Sequence, residues 1–439
     1  MKKSVTIFIL SAMAYLFPGW NGAIAQEPLD FTGSPYNPVL THGLPGSYDG
    51  DLLVAPFVIW EDGTFYMFYG GNGGGCLASS TDGLIYEKYA GNPIMTASGA
   101  GFDSLGAGIG PVLKVGQQWV TYYGARHFPG WGPGESTGRA TADNLAGPWE
   151  RSSEPVLTIG GPGEWDEGLV YTVSVLPLDT GGFILFYYGS NDFNGIWVMG
   201  MATSPDGITW TKYDDPNTTQ PPFAESDPIL PAGGPGEFDE WGFTGAGVLR
   251  MGGYYHMYYS SLGPDPSLGY RSDVGFAFSE DGITWSKWPE NPVYSQEDDP
   301  YLEPATMIIE QASTMIHDSI VYLYYDYGTM ENSIGLAKAF NIWVGARELE
   351  TNQNELRITN FPNPVYQSTT FSFVLNEPAQ VKLELFDSFG RLAAVLTDEL
   401  MPAGRQERSW NAESFPAGVY SYRLESTGKT GSGKLIIIK

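Results

Sequence analysis

The chain holds a single cysteine, Cys76, among 439 residues, which excludes an internal disulfide framework and any multi-cysteine metal site. Histidine is nearly as scarce: there are 4, none in the H-E-x-x-H spacing of a zinc hydrolase. Basic residues are few as well. Lys and Arg total 22 against 50 Asp and Glu, a formal charge of −28. A nucleic acid or an anionic membrane is a poor partner for such a chain, because the phosphate contribution is repulsive. After residues 1–25 no segment reaches the roughly 18 apolar residues of a membrane span. What the chain does have is 42% hydrophobic and 14% aromatic residues, with 57 Gly and 32 Pro. That composition suits short strands joined by turns, in about two or three domains, and points to an uncharged ligand.

The N-terminus carries an export address. Lys2 and Lys3 precede the apolar stretch Val5 to Phe17, then Ala23-Ile24-Ala25. This is a signal peptide over residues 1–25, with cleavage after Ala25. Charge marks a second boundary. Residues 26–356 carry 11 Lys/Arg against 42 Asp/Glu, whereas residues 357–439 carry 9 against 8. The expected organisation is a large module over 26–345, a polar linker over 346–357 and a small module over 358–439. The large module is expected to fold as a monomer without the small one.

Three markers recur five times in the large module. The first is a polar residue, Pro and an apolar pair, as in Asn37-Pro38-Val39-Leu40, Asn92-Pro93-Ile94-Met95 and Asn291-Pro292-Val293-Tyr294. The second is an aromatic strand, as in Phe65 to Tyr69 and Tyr254 to Tyr259. The third is a small residue, any residue, then Ala, as in Cys76-Leu77-Ala78 and Gly275-Phe276-Ala277. Asp-Gly turns at Asp82-Gly83, Asp206-Gly207 and Asp281-Gly282 mark hairpins. Five copies of about four strands predict an all-β five-bladed β-propeller. The first marker precedes blade one, as if the N-terminal segment closes the ring. Cys76 stands where the other copies have Gly, so it is expected to be a small buried residue.

The loops entering each blade and those after each aromatic strand share one face, around the channel mouth. Carboxylates and aromatics crowd them, which is what glycoside hydrolysis needs. An aromatic-Asp pair recurs in four blades (Asp49, Asp103, Asp166, Asp239), and a residue shared by every blade is more often structural than catalytic. If these four reach the mouth, they join Arg126, His127, Trp131, Trp165 and Trp241 as substrate-binding residues. The catalytic candidates are the carboxylates expected in one blade alone: Asp51, Glu167, Glu240, Asp299 and Glu303. Glu303 is the expected general acid and Asp51 the base or nucleophile. No cofactor is required, no metal ligands are assigned, and a structural Ca²⁺ in the central channel is compatible with the carboxylates.

The blade strands, such as Ala55-Pro56-Phe57-Val58-Ile59 followed by Asp62-Gly63-Thr64-Phe65-Tyr66, resemble the glycosidase superfamily of arabinanases and β-xylosidases (glycoside hydrolase family 43) and invertases. The resemblance implies a five-bladed propeller and a carbohydrate hydrolase. It departs at two places: Ala55-Pro56 stands for that family's Asp-Pro, and Gly245-Ala246-Gly247 for its Glu-Gly-Pro. A non-catalytic glycan-binding propeller, or a glycan lyase or phosphorylase, are the competing expectations. Residues 358–439 are similar to the C-terminal sorting domain of type IX secretion, through Asn360-Phe361-Pro362-Asn363-Pro364, Leu383-Glu384-Leu385-Phe386-Asp387, Gly418-Val419-Tyr420 and the final Lys434 to Lys439. Alternating polar and apolar residues there independently predict a small immunoglobulin-like β-sandwich. The resemblance implies the type IX machinery as partner, and release from or attachment to the surface of a Bacteroidetes-type bacterium.

Overall fold

A computed structural model describes residues 27–437, apart from 73, 128–133, 193–194, 266–268, 302–308, 319, 329–332, 341–355, 357, 362, 364, 376, 387–390 and 428. The proposed signal peptide, linker residues 346–355, Trp131 and Glu303 therefore lie outside the described residues. The described chain is all-β, broken only by the single 3₁₀ turns Gly101–Asp103 and Gln296–Asp298. It divides into two compact units, one up to Ala339 and one from Phe340.

The first unit contains five antiparallel sheets. Sheet one runs Leu53–Glu61, Thr64–Gly71, Gly74–Ser80, Glu87–Lys88. Sheet two has a split inner edge (Gly106–Gly108 and Val112–Val115), then Gln118–Arg126, Ser136–Ala142 and Glu150–Arg151. Sheet three is Leu169–Pro177, Phe183–Ser190, Val198–Ser204 and Thr211–Lys212. Sheet four is Gly242–Met251, Tyr254–Asp265, Val274–Ser279 and Ser286–Lys287. Sheet five takes Ile309–His317, Ile320–Tyr327 and Ser333–Phe340 from its own segment. Its outer place is filled by Thr32–Gly33 and Leu40–Thr41 from the N-terminal segment. Apolar layers join neighbouring sheets: Met67 and Tyr324 link one and five, Phe68 and Trp119 one and two, Tyr122 and Leu185 two and three, Phe186 and Tyr255 three and four. Sheets four and five meet through Ala312 N–H donating to Ser260 and the Ser272 hydroxyl donating to the Ile309 carbonyl.

One internal device explains all three sequence markers. In four of the sheets one Tyr of the aromatic strand donates to the loop Asp, and a cation on the outer strand pairs with the same carboxylate. The sets are Tyr69–Asp49–Lys88, Tyr123–Asp103–Arg151, Tyr187–Asp166–Lys212 and Tyr259–Asp239–Lys287, with phenol distances of 3.1–3.2 Å and cation distances of 2.5–2.7 Å. Each cation lies opposite the Ala of the third marker: Ala78, Ala140, Ala202 and Ala277. The small residue of that marker is small because a Tyr ring covers it. A methyl on Gly138, Gly200, Gly275 or Gly335 would collide with Tyr123, Tyr187, Tyr259 or Tyr325. Cys76 lies opposite Tyr69, fully buried, and burial together with the nearby Asp49 pushes its thiol up to about 12. The Asn of the first marker completes the edge with its side-chain amide. Asn92, Asn291 and Asn37 each accept from the backbone N–H, and donate to the C=O, of Leu77, Phe276 and Leu336. Gly335→Ala should therefore cost about 1–3 kcal/mol in chemical denaturation through overpacking, and Cys76→Ala far less.

In sheet five the device changes. Gly33 lies opposite Ala337, where the other sheets carry a cation, and leaves no space for a side chain against the Asp299 carboxyl. Asp299 is held instead by Tyr325 (2.6 Å), Tyr294 (2.9 Å) and Asn37 (2.8 Å). The second unit is a three-stranded sheet (Ile358–Phe361, Ser368–Leu375, Gly404–Asn411) and a four-stranded sheet (Leu392–Met401, Ala379–Phe386, Gly418–Ser426, Lys429–Ile437). Phe371, Val381, Leu383, Leu385, Tyr422, Leu424 and Leu435 form its core.

Candidate active site

The inner strands of all five sheets start on the same face, and there they surround a cavity of about 1050 Å³. Its wall is uneven. Sheet three contributes a column of nearly parallel rings: Tyr171 on Tyr188 (5.2 Å, 14°) and Tyr188 on Trp197 (5.3 Å, 11°). Sheet four adds Trp241 and Tyr270 at the exposed rim. Sheets two and five supply the ionisable groups. Arg126 ends the second strand of sheet two, and Glu135 directly precedes its third, where its C=O accepts from Val170 N–H. Glu310 is the second residue of the inner strand of sheet five and lies opposite Asp326 on the neighbouring strand. Residues directly opposite in an antiparallel pair share a face, with Cβ atoms about 5 Å apart.

Asp326 is buried and accepts from the backbone N–H of Ala55 at 3.2 Å. Ala55 (φ 54) and Gln311 (φ 44) both sit in β-bulges with left-handed backbone, which turn the starts of these two inner strands. The groups converge on one phenol. Burial, then Tyr171 and the charges of Glu135, Glu310 and Asp326, hold the Tyr188 hydroxyl well above its usual value. Burial pushes the Glu310 carboxyl up, with no cation opposing it. Burial also pushes Glu135 up, but the Arg126 guanidinium opposes the rise. Glu135, Glu310, Tyr171 and Tyr188 make no side-chain hydrogen bond to another described residue. Such a set of open donors and acceptors suits a polyhydroxylated ligand. Among the described residues, no group of three His, Cys, Asp or Glu is arranged to hold a metal ion.

The structure redistributes the residues singled out from sequence. Arg126 and Trp241 line the cavity. Asp49, Asp103, Asp166 and Asp239 are buried in the tyrosine–cation sets, not in the cavity wall. Asp299 is the fifth member of that series and is not peculiar to one blade. Nor are Glu167 and Glu240. They occupy equivalent places in the repeated loops Gly161 to Glu167 and Gly234 to Glu240, where each accepts from its own loop backbone, at Gly163 and at Gly236 (2.7 Å). Their carboxylates shape those turns. Asp51 is exposed and bonded by Asn72 at 3.3 Å, outside the cavity lining. Trp165 is buried, its indole donating to Ser226, and His127 is exposed beside the cavity. Glu135 and Glu310 were missed. The available signal was a carboxylate placed at the first residues of an otherwise small or apolar strand, in Glu135-Ser136-Thr137-Gly138 and Ile308-Ile309-Glu310-Gln311-Ala312.

The two departures from the resembled family have local causes. A Cβ on Gly245 would lie 2.5 Å from the Gln311 Cα, so no glutamate fits there. At Ala55, the carboxylate of Asp326 arrives from the adjoining sheet.

Comparison with known proteins separates the two parts of the chain. An uncharacterised protein of Mycobacterium tuberculosis is 26% identical over 247 residues, covering 52% of this chain and 74% of that protein. Among solved structures, a glycoside hydrolase aligns with a TM-score of 0.53 at 18% identity, covering 74% of this chain and 95% of that one. A glycosyl hydrolase from Bacteroides ovatus gives 0.53 at 15% identity, covering 72% and 94%. A third, described among GH130 mannoside phosphorylases and hydrolases that target β-1,2 mannosidic linkages in Candida mannan, gives 0.53 at 16%, covering 74% and 95%. These likenesses establish a shared fold. Residues 359–439 match the family model of the secretion system C-terminal sorting domain, which supports the sorting module expected over 358–439.

Proposed function

We propose that the ring of five sheets is a five-bladed β-propeller and that it is an exported glycoside hydrolase of uncharged poly- or oligosaccharides. The observation that carries this is the convergence of Glu135 and Glu310 beside Tyr188 in one aromatic-walled cavity, with Asp326 buried on the strand next to Glu310. The roles that the sequence suggested for Glu303 and Asp51 pass to Glu310 and Glu135. Glu310, raised by burial without a counter-cation, is the general acid and gives its proton to the glycosidic oxygen. Glu135, whose rise the Arg126 guanidinium opposes, is the base and takes a proton from water as the water oxygen bonds to the anomeric carbon and the C–O bond breaks. One water is consumed, and solvent returns the proton from Glu135 to Glu310. The phenols of Tyr171 and Tyr188 bond the sugar hydroxyls, while Asp326, buried and held by the Ala55 N–H, adds its charge from behind the wall. The C-terminal module, an immunoglobulin-like sandwich in this reading, directs export through the type IX system, and the enzyme works outside the cell.

A release assay of the full chain on arabinan, xylan, mannan, β-glucan and polygalacturonate tests the reading. Product from a neutral glycan and none from polygalacturonate is expected. Binding without product from any glycan would favour a lectin-like role. Both limbs of the rate–pH profile should lie above the ordinary glutamate range, since both carboxyls are raised. The acid limb reports Glu135. Arg126→Gln removes the cation that opposes its rise, so that limb should move to higher pH while the alkaline limb stays.

A further inference from the structure

The cavity narrows along the axis, and its carboxylates gather at the narrow end. Ala55, Ile109, Tyr171, Thr244 and Gln311 form a ring that separates it from a space of only about 40 Å³ farther along the axis. That space holds a few water molecules, so nearly all the sugar-sized volume lies on the mouth side of the ring. The constriction is built into the backbone, because the inner strands of sheets four and five press together at Gly245 against Gln311 and at Gly247 against Thr314. Glu310 directly precedes Gln311 of the ring, and Tyr171 of the ring feels the charges of Glu135 and Asp326. At the opposite end, Ile196, Trp241 and Tyr270 stand exposed at the rim.

We propose, on the basis of the hydrolase reading above, that the enzyme attacks glycans only from a chain end. An internal residue carries chain on both sides. A polymer lying across the mouth would keep its linkages at the level of Trp241 and Tyr270, away from Glu310. A chain end can descend until its terminal linkage meets Glu310 and Glu135, with the following residue against the rim aromatics. Hydrolysis there adds water across one terminal glycosidic bond and releases a mono- or disaccharide. The remaining chain withdraws by the way it entered.

The test uses the full chain on each neutral polysaccharide of the panel, with product size and solution viscosity followed together. The expected result is mono- or disaccharide from the first time point, with almost no loss of viscosity. A reducing-end-labelled oligosaccharide of the same glycan should shorten stepwise, or lose its label with the first product. A rapid fall in viscosity, with a ladder of mid-length fragments at the outset, would overturn end-directed attack while leaving a hydrolase. Absence of product from every glycan would instead overturn the hydrolase reading, and end-directed attack with it.

Discussion

Glu310→Gln should lower turnover by about 10²–10⁴-fold, the usual contribution of a positioned general acid, with little change in KM. The amide keeps the volume and the cross-strand place opposite Asp326, so only the transferable proton is lost. The alkaline limb of the rate–pH profile should vanish with it. Stability should move the other way. A carboxyl whose value is raised by folding stabilises the protein below its unfolded value, and that stabilisation is lost as pH rises through the folded value. At neutral pH burial of the Glu310 carboxyl therefore carries a cost that Gln does not. The variant should unfold at a denaturant concentration no lower than the parent at pH 7, and relatively lower at pH 4. Equal turnover in both proteins would remove Glu310 from the mechanism.

Asp166→Ala should produce the largest loss of stability, about 3–5 kcal/mol in denaturant titration, as expected when one partner of a buried ion pair is removed. The Asp166 side chain is fully buried, and Lys212, at 15% exposure, pairs with it at 2.6 Å. The change leaves the Lys212 charge and the Tyr187 hydroxyl without their acceptor in an apolar layer. The double variant Asp166→Ala, Lys212→Met should recover much of the loss, because it removes both charges. Turnover of the folded fraction should stay near the parent value. Retained stability with lost turnover would return Asp166 to the substrate-binding role considered from sequence.

The repeat architecture was legible because each copy states the same physical requirement. Gly under a Tyr ring and Ala opposite a cation each recur in four sheets, and Asn in place of a strand edge in three. The site was less legible for the same reason. Aromatic-acid pairs such as Trp165-Asp166 and Phe238-Asp239 look like a sugar site in sequence, yet their spacing serves the internal device. Glu167 and Glu240 hold one and the same place in two copies of a Gly-Pro-Gly-Glu-aromatic-Asp-Glu loop. Glu135 and Glu310 are single residues without a repeated neighbour, and what brings them together is closure of sheets two and five onto one axis. Burial of a carboxyl by residues more than a hundred positions away leaves no local pattern. The exclusion of a glutamate at Gly245 likewise depends on the backbone of Gln311 in another sheet.

The borrowed outer strand of sheet five bears on the order in which the chain folds. Among the described residues, Thr32–Gly33 and Leu40–Thr41 find their strand partner in Ser333–Phe340, roughly 300 residues later, and Asn37 waits as long for Leu336 and Asp299. Joining such distant segments carries a loop-closure cost that grows slowly with length, but it delays the step until the whole loop is available. The four earlier sheets can form in sequence as their own strands appear. The fifth cannot, and until it does the ring has two unpaired margins. A chain delivered across a membrane from its N-terminus would hold Thr32–Gly33 in reserve until Ser333–Phe340 arrives, so closure of the fifth sheet marks the passage of everything between them.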